Sequence, residues 1–179
     1  MDGLLGKVMF KKKPQLSIEQ KAKKCADLVV DYSKMLANGI KGDEGLTNKQ
    51  FFVVYIYCTA LNYIVIDRQA FGMMNDNERE IFSDYMHLGI QADISRGTGL
   101  KKETVMELLN MGVVELSPYS RKLMPEGDES PAGTLYWEFA KLVAEKADLP
   151  ATVALTSSLM AMQTGVSMMK DFLPVLKAK

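Results

Sequence analysis

Hydrophobic residues recur along this chain mostly three and four positions apart, which is the period of an amphipathic α-helix. Stripes of this kind predict helices over residues 17–38, 48–71, 77–95, 101–111, 131–147 and 150–172. Ser17 with Gln20, and Thr47 with Gln50, have the spacing of capping boxes at the start of the first two helices. Gly39 is expected to end the first helix, because glycine is common just beyond a helix C-terminus.

The region between the fourth and fifth predicted helices contains further signals of helix ends. Gly112 is expected to stop the fourth helix, and the connection 113–130 that follows is long for a compact domain. A short helical turn is therefore expected after Ser117 and Pro118, because proline suits the first position of a helix.

Two predicted helices are nearly free of charge. Residues 51–66 carry none, but they fall short of the ~20 residues that span a bilayer, which predicts a central core helix. Residues 149–169 are also uncharged, and their many Ser, Thr and Gln side chains make them too polar to insert strongly into a membrane. The pattern predicts an all-α, single-domain bundle of five or six helices, with 48–71 and 150–172 as its most apolar, central elements. A basic tail, 1–16, precedes a helical domain, 17–179.

Composition narrows the classes of function. The chain has 179 residues with 22 Lys and Arg against 22 Asp and Glu, so no basic excess favours nucleic acid as a partner. One His and two Cys are too few for a His/Cys metal cluster, and we expect no metal or cofactor. Cys25 and Cys58 lie in apolar segments, where buried, reduced thiols are expected. The N-terminus lacks the pattern of a signal peptide, so we expect a cytoplasmic protein.

Charge is distributed unevenly along the chain. Residues 1–24 contain seven Lys against Asp2 and Glu19, whereas residues 67–93 contain six acidic residues against two Arg. Apolar residues near the basic end, including Leu4 and Phe10, would allow weak contact with an anionic membrane surface. A solvated tail is the alternative interpretation.

The last predicted helix has two apolar stripes. Large side chains form one of them (Leu155, Leu159, Met162, Val166, Met169), and small side chains form the other (Ala154, Ser158, Ala161, Gly165). Small residues let another backbone approach closely, and Met suits adaptable binding surfaces. The candidate partner- or ligand-binding residues are therefore Met160, Met162, Met169, Ala161 and Gly165. A core helix wholly covered within the chain is the alternative.

The third predicted helix contains candidate chemistry. Glu80, Asp84, His87 and Gln91 share one face, and Asp84-x-x-His87 resembles the carboxylate-x-x-His spacing of di-iron bundles. A site of that kind needs a second His, which the chain lacks. Glu80, Asp84 and His87 are thus only weak catalytic candidates. Because the pattern places Ile81, Tyr85, Leu88 and Ala92 on the inner face, a solvated acidic face is the favoured interpretation.

The turn before the fourth predicted helix is a candidate anion site. Its glycines and cations precede a helix N-terminus, where free N–H groups favour an anion. The residues concerned are Arg96, Gly97, Gly99, Lys101 and Lys102. The spacing is not that of a Walker A loop and no strand is predicted before it, so a loop with a helix cap is the favoured interpretation.

No nucleophile or nucleotide motif of the G-x-S-x-G or G-x-G-x-x-G type occurs in the sequence. The sequence favours a non-catalytic helical interaction protein that self-associates or binds another protein's helix through uncharged, Met-rich helix faces. The alternative is a protein that binds an apolar small molecule or lipid between its helices. An enzyme using the acidic and His face of the third helix is the third hypothesis.

Overall fold

The computed structural model describes residues 16–178, and these form an all-α bundle without a β-strand among them. The fold class predicted from the periodicity is confirmed. The basic tail predicted for 1–16 lies, apart from Leu16, outside the described residues. In chain order the helices are α1 (Ile18–Glu44), α2 (Asn48–Phe71), α3 (Asp76–Thr98), α4 (Lys102–Leu116), α5 (Leu135–Lys146) and α6 (Val153–Lys177), with a 3₁₀ turn at Ser117–Tyr119.

Capping boxes fix the starts of the first three helices. The Ser17 and Thr47 hydroxyls accept hydrogen bonds from the backbone N–H groups of Gln20 (3.2 Å) and Gln50 (3.3 Å), as the sequence predicts. Asn75 caps α3 in the same way, accepting a hydrogen bond from the N–H of Glu78 at 2.9 Å. These side chains satisfy N–H groups that a helix leaves free at its first turn.

Helix α2 is the centre of the bundle. It packs against every other α-helix, and all residues from Val54 to Ile66 are buried. Of the described helices it alone is long and apolar enough to cross a membrane, yet 72% of its most apolar stretch is buried by the surrounding helices. Its buried Asn62 side chain donates a hydrogen bond to the Ser33 hydroxyl of α1 (3.0 Å), so this polar group is satisfied inside the core.

The other helices surround α2. Helix α1 packs against α3 and α6 as well as α2, and α5 packs mainly against α6. Helix α6, which the sequence also places at the centre, is apolar but packs chiefly against α1 and α5, and one of its faces is exposed.

Two glycines expected to end helices lie inside them instead. Helix α1 continues through Gly39 to Glu44 and ends at Gly45, which adopts the left-handed conformation. Helix α4 continues through Gly112, which is buried, and a Cβ added there would lie 2.9 Å from the Cβ of Ala60 on α2. Both glycines sit where another helix approaches closely, since a Cβ on Gly39 would lie 3.4 Å from the Met160 sulfur.

Two other helix boundaries also differ from the prediction. Helix α5 begins at Leu135 and not at 131, because residues 131–134 form a turn in which the Thr134 N–H donates to the Pro131 carbonyl oxygen (3.1 Å). Helix α6 extends past Pro174 to Lys177.

Candidate functional site

The two stripes predicted on α6 differ in burial: one faces the interior of the bundle and the other faces outward. The small-residue stripe is buried: Ala154, Ser158, Ala161 and Gly165 all face the interior. Gly165 lies directly beneath Tyr136 of α5, since a Cβ at this position would be 2.1 Å from the Tyr136 hydroxyl oxygen. The small side chains therefore allow α5 and α6 to approach closely within one chain.

Two polar contacts join α6 to α1 on its other flank. The Tyr32 hydroxyl donates a hydrogen bond to the Asp171 carboxylate (2.6 Å), and the Lys21 ammonium donates to the backbone carbonyl oxygen of Leu176 (3.0 Å). Together with the Gly165 contact, these bonds fix which face of α6 points inward.

The large apolar stripe points away from the bundle. Leu155 is 59% exposed, Leu159 49% and Val166 42%, and the neighbouring Met162, Met169 and Leu173 are half-buried. At 100° per residue these six side chains span roughly 80° of the helix circumference, so they form one continuous strip. We call this strip, made of Leu155, Leu159, Met162, Val166, Met169 and Leu173, the α6 stripe.

An apolar groove borders the N-terminal end of the α6 stripe. Its volume is about 390 Å³, and it lies between α5 and the start of α6. Trp137, Ala144 and Glu145 line it from α5, and Ala151 and Ala154 line it from the other side. The apolar surface therefore extends from α6 towards α5.

Both ends of the α6 stripe carry charges of both signs. Glu145 and Asp148 are exposed near its N-terminal end together with Lys141 and Lys146, and Lys170 and Lys177 are exposed near its C-terminal end together with Asp171. The strip between these ends has no charged residue from 149 to 169. The surface is thus apolar in the middle and flanked by charges of both signs.

The residues singled out on α6 from the sequence are only partly on this surface. Met162 and Met169 lie on the α6 stripe, and Met160 is half-buried beside Gly39 of α1. Ala161 and Gly165 are buried against the rest of the chain, which corrects their expected place at a partner contact. The exposed branched residues Leu155, Leu159 and Val166 were visible in the sequence as a stripe, but spacing alone could not show that this stripe is the outer one.

The face of α3 that the sequence predicts to be internal is instead the outer one. Leu88 on this face is 56% exposed, and Tyr85 is exposed as well. The buried residues of α3 lie on its other side and are Phe82, Met86, Ile90, Gln91 and Ile94. The reason is the contact of Gly89 with α1, where an added Cβ would lie 2.8 Å from the Cβ of Ala26. Because of this close approach, α3 is rotated about its own axis relative to the orientation that the sequence pattern predicts.

The rotation separates the candidate catalytic residues. Glu80 and Asp84 are exposed, whereas the His87 ring stacks on Tyr63 of α2 with ring centroids 4.3 Å apart. Burial lowers the pKa of His87 despite the opposing effect of Asp67 and Asp84. Gln91 is buried and donates its hydrogen bond to the Lys102 carbonyl oxygen at 2.8 Å. In residues 16–178 no group of three or more His, Cys, Asp or Glu side chains is placed to hold a metal ion.

The candidate anion turn is a solvent-exposed helix connection. The Arg96 guanidinium pairs with Asp93 of its own helix at 2.6 Å, and Gly99 is the left-handed cap of α3. Lys101 and Lys102 are exposed at the start of α4, which has no side-chain cap. Gly97 contributes to a cavity on the side of α2. An anion site at these residues stays a prediction.

The two cysteine thiols are not reactive near neutral pH. Cys25 and Cys58 are both buried and free. Burial raises the pKa of Cys25 to about 12, and it raises the pKa of Cys58 as well, so neither forms a thiolate near neutral pH.

Comparison with known proteins adds no relative. No family model matches the chain, and neither the curated proteins nor the solved structures include a significant match.

Proposed function

We propose that this chain is a non-catalytic interaction protein that pairs with a second copy of itself through the α6 stripe. The observation that carries the proposal is the exposure of Leu155, Leu159 and Val166 on a helix whose opposite face is fully packed. Contiguous exposed apolar surface of this kind is typical of protein interfaces. A cytoplasmic location, expected from the sequence, is part of the same proposal.

A second copy supplies the apolar surface that the α6 stripe needs to be covered. An antiparallel, two-fold pairing centred on Met162, the midpoint of Leu155 and Met169, places Leu155 opposite Met169 of the other copy. A two-fold interface makes every such contact twice, so each copy would cover the stripe of the other.

The small size of the surface predicts that the proposed dimer is weak. From Leu155 to Leu173 the α6 stripe is about 27 Å long at 1.5 Å per residue, and a helix is about 10 Å wide. This area is smaller than the roughly 800 Å² per partner of a standard interface. We therefore expect association in the micromolar range, strengthened by the groove beside Trp137.

Sedimentation velocity tests the proposal directly. The weight-average sedimentation coefficient of the wild type should rise from the monomer value towards that of a dimer between about 1 and about 300 µM. Leu159→Lys should hold the protein monomeric throughout this range, because it places a charge in the centre of the apolar contact. Its melting temperature should stay within a few degrees of the wild type, since the side chain is half exposed.

Leu88→Lys is the matched control, because Leu88 is an equally exposed leucine on the unrelated surface of α3. This variant should dimerise as the wild type does. A wild type that stays monomeric at the highest concentration would refute self-association. Equal loss of dimer in both variants would show that the α6 stripe is not the interface.

A further inference from the structure

A cavity between α1, the N-terminal part of α2 and the C-terminal part of α3 has the size of a small-molecule site. Its volume is about 440 Å³, which lies within the range of ligand pockets. Phe51, Phe52 and Tyr55 line it from α2, and Ile94 lines it from α3. The rings of Phe51 and Tyr55 are parallel to within 5°, with their centroids 6.4 Å apart. The cavity therefore has an aromatic wall on which a flat ring can pack.

The cavity also carries charges of both signs on two different helices. Lys34 lines it from α1, and this exposed lysine forms no ion pair with any residue that the structure describes. Asp93 lines it from α3, and its Oδ1 atom accepts a hydrogen bond from the Arg96 guanidinium at 2.6 Å. Because the Arg96 side chain is 76% exposed, this ion pair is a weak surface pair that a ligand can share or replace.

These two charges select the type of ligand. A purely anionic ligand would be attracted by Lys34 and repelled by Asp93, and a purely cationic ligand would meet the opposite combination. A ligand that carries both charges can pair with each of them. Two further charges close to the cavity are also of opposite sign, since Asp31 lies on α1 and the Lys41 ammonium lies 5.1 Å from the centroid of the Phe51 ring.

We propose that this cavity binds a free aromatic amino acid, with its ring on the aromatic wall, its carboxylate towards Lys34 and its ammonium towards Asp93. The wall would supply most of the contact area, and the two charged groups would supply orientation. A free amino acid carries both charges on one carbon atom, whereas each end of a peptide carries only one of them. No residue of the α6 stripe takes part, so this proposal is independent of self-association.

Four related indoles test the proposal by isothermal titration calorimetry on the full chain. L-Tryptophan carries both charges, tryptamine only the ammonium, indole-3-propionate only the carboxylate, and indole neither. We expect L-tryptophan to bind one-to-one with a dissociation constant between about 10 µM and about 1 mM, as suits a ligand of this size. The other three should each bind at least about three-fold more weakly, because each lacks one or both charged contacts. Equal binding of indole and L-tryptophan would show that the cavity does not respond to charge, which would overturn the proposal.

Two variants assign a protein partner to each ligand charge. Lys34→Gln should weaken the binding of L-tryptophan about three- to ten-fold and should not weaken that of tryptamine. Asp93→Asn should weaken the binding of L-tryptophan and tryptamine and should not weaken that of indole-3-propionate. Lys24→Gln and Asp84→Asn are the matched controls, because both residues are exposed on the same two helices outside the cavity lining. If either cavity variant affects all the indoles alike, or none of them, the assignment of charges is wrong.

Three further variants locate the bound amino acid. Gly97→Phe adds a large side chain to the cavity lining, and the open space around its Cβ position means that no packed atom needs to move. This change should reduce L-tryptophan affinity more than about ten-fold, because it takes up part of the binding volume. Gly42→Phe, at an equally open glycine of α1, and Leu159→Lys, on the α6 stripe, should leave the affinity unchanged. Absence of saturable L-tryptophan binding, or binding that is insensitive to Gly97→Phe, would refute the site.

Discussion

At the scale of single residues, His87 shows how burial changes the chemistry of a group that sequence spacing makes conspicuous. Its Nε2 atom is buried without a hydrogen-bond partner among the described residues, and its ring stacks on Tyr63. Spacing places His87 beside Asp84, but the fold turns the imidazole towards an aromatic ring of α2. His87 therefore contributes apolar packing in its neutral form, and no partner in the described chain favours its cation enough to offset burial.

This environment predicts a pH dependence of stability. Because the pKa of His87 in the folded protein lies below the ordinary value of 6.5, the unfolded chain binds more protons, and the free energy of unfolding should fall as the pH drops below about 6.5. His87→Phe keeps the ring stack but does not titrate, so its free energy of unfolding should change less between about pH 7.5 and 5.5. Urea unfolding at several pH values measures this slope. Equal slopes for wild type and variant would show that His87 does not cause it.

At the scale of helices, the sequence predicts which segments are helical better than it predicts which faces are buried. Capping boxes at Ser17 and Thr47 identify two helix starts because the cap is a local interaction. Gly39 and Gly112 are wrongly predicted as helix ends, because glycine suits both the end of a helix and a position where two helices pack closely. The difference between these two roles depends on the partner helix, which local sequence does not reveal.

The burial of helix faces depends on the same long-range contacts. Helices α3 and α6 each carry apolar residues on two faces, and in each case the face containing a glycine contact is the buried one: Gly89 against Ala26, and Gly165 beneath Tyr136. On α6, the large side chains that remain outside form the α6 stripe. The proposed site was therefore visible as a pattern, but its exposure required the fold.

The packing of α5 on α6 can be tested with a pair of glycine variants. Gly165→Ala should lower the free energy of unfolding by about 1–3 kcal/mol, because the new methyl group overlaps the buried Tyr136 side chain. Gly42→Ala is the control, since Gly42 is helical and has open space around its Cβ position. This change should be neutral or stabilising by up to about 1 kcal/mol. Thermal or urea unfolding that ranks the two variants in the opposite order would contradict the close approach of the two helices.

At the scale of the whole molecule, zero net charge means that no overall repulsion opposes the proposed pairing of two copies. Charges of both signs lie at each end of the α6 stripe, with Glu145 beside Lys146 and Lys170 beside Asp171. The proposed dimer would therefore depend on the apolar contacts between these ends. Antiparallel pairing would place Leu155 opposite Met169 of the other copy, whereas parallel pairing would place each residue opposite its own counterpart.

Charge-pair variants distinguish these two orientations. In the antiparallel dimer, Leu155→Glu and Met169→Lys should each weaken association several-fold, because each places a charge against an apolar side chain of the other copy. The double variant carrying both changes should recover part of the lost affinity, because the new carboxylate then faces the new ammonium of the other copy. Sedimentation at low and high salt measures all four proteins, and the recovery should shrink as salt screens the charges. In a parallel dimer each new charge would face its own counterpart, so the double variant would associate more weakly than either single variant.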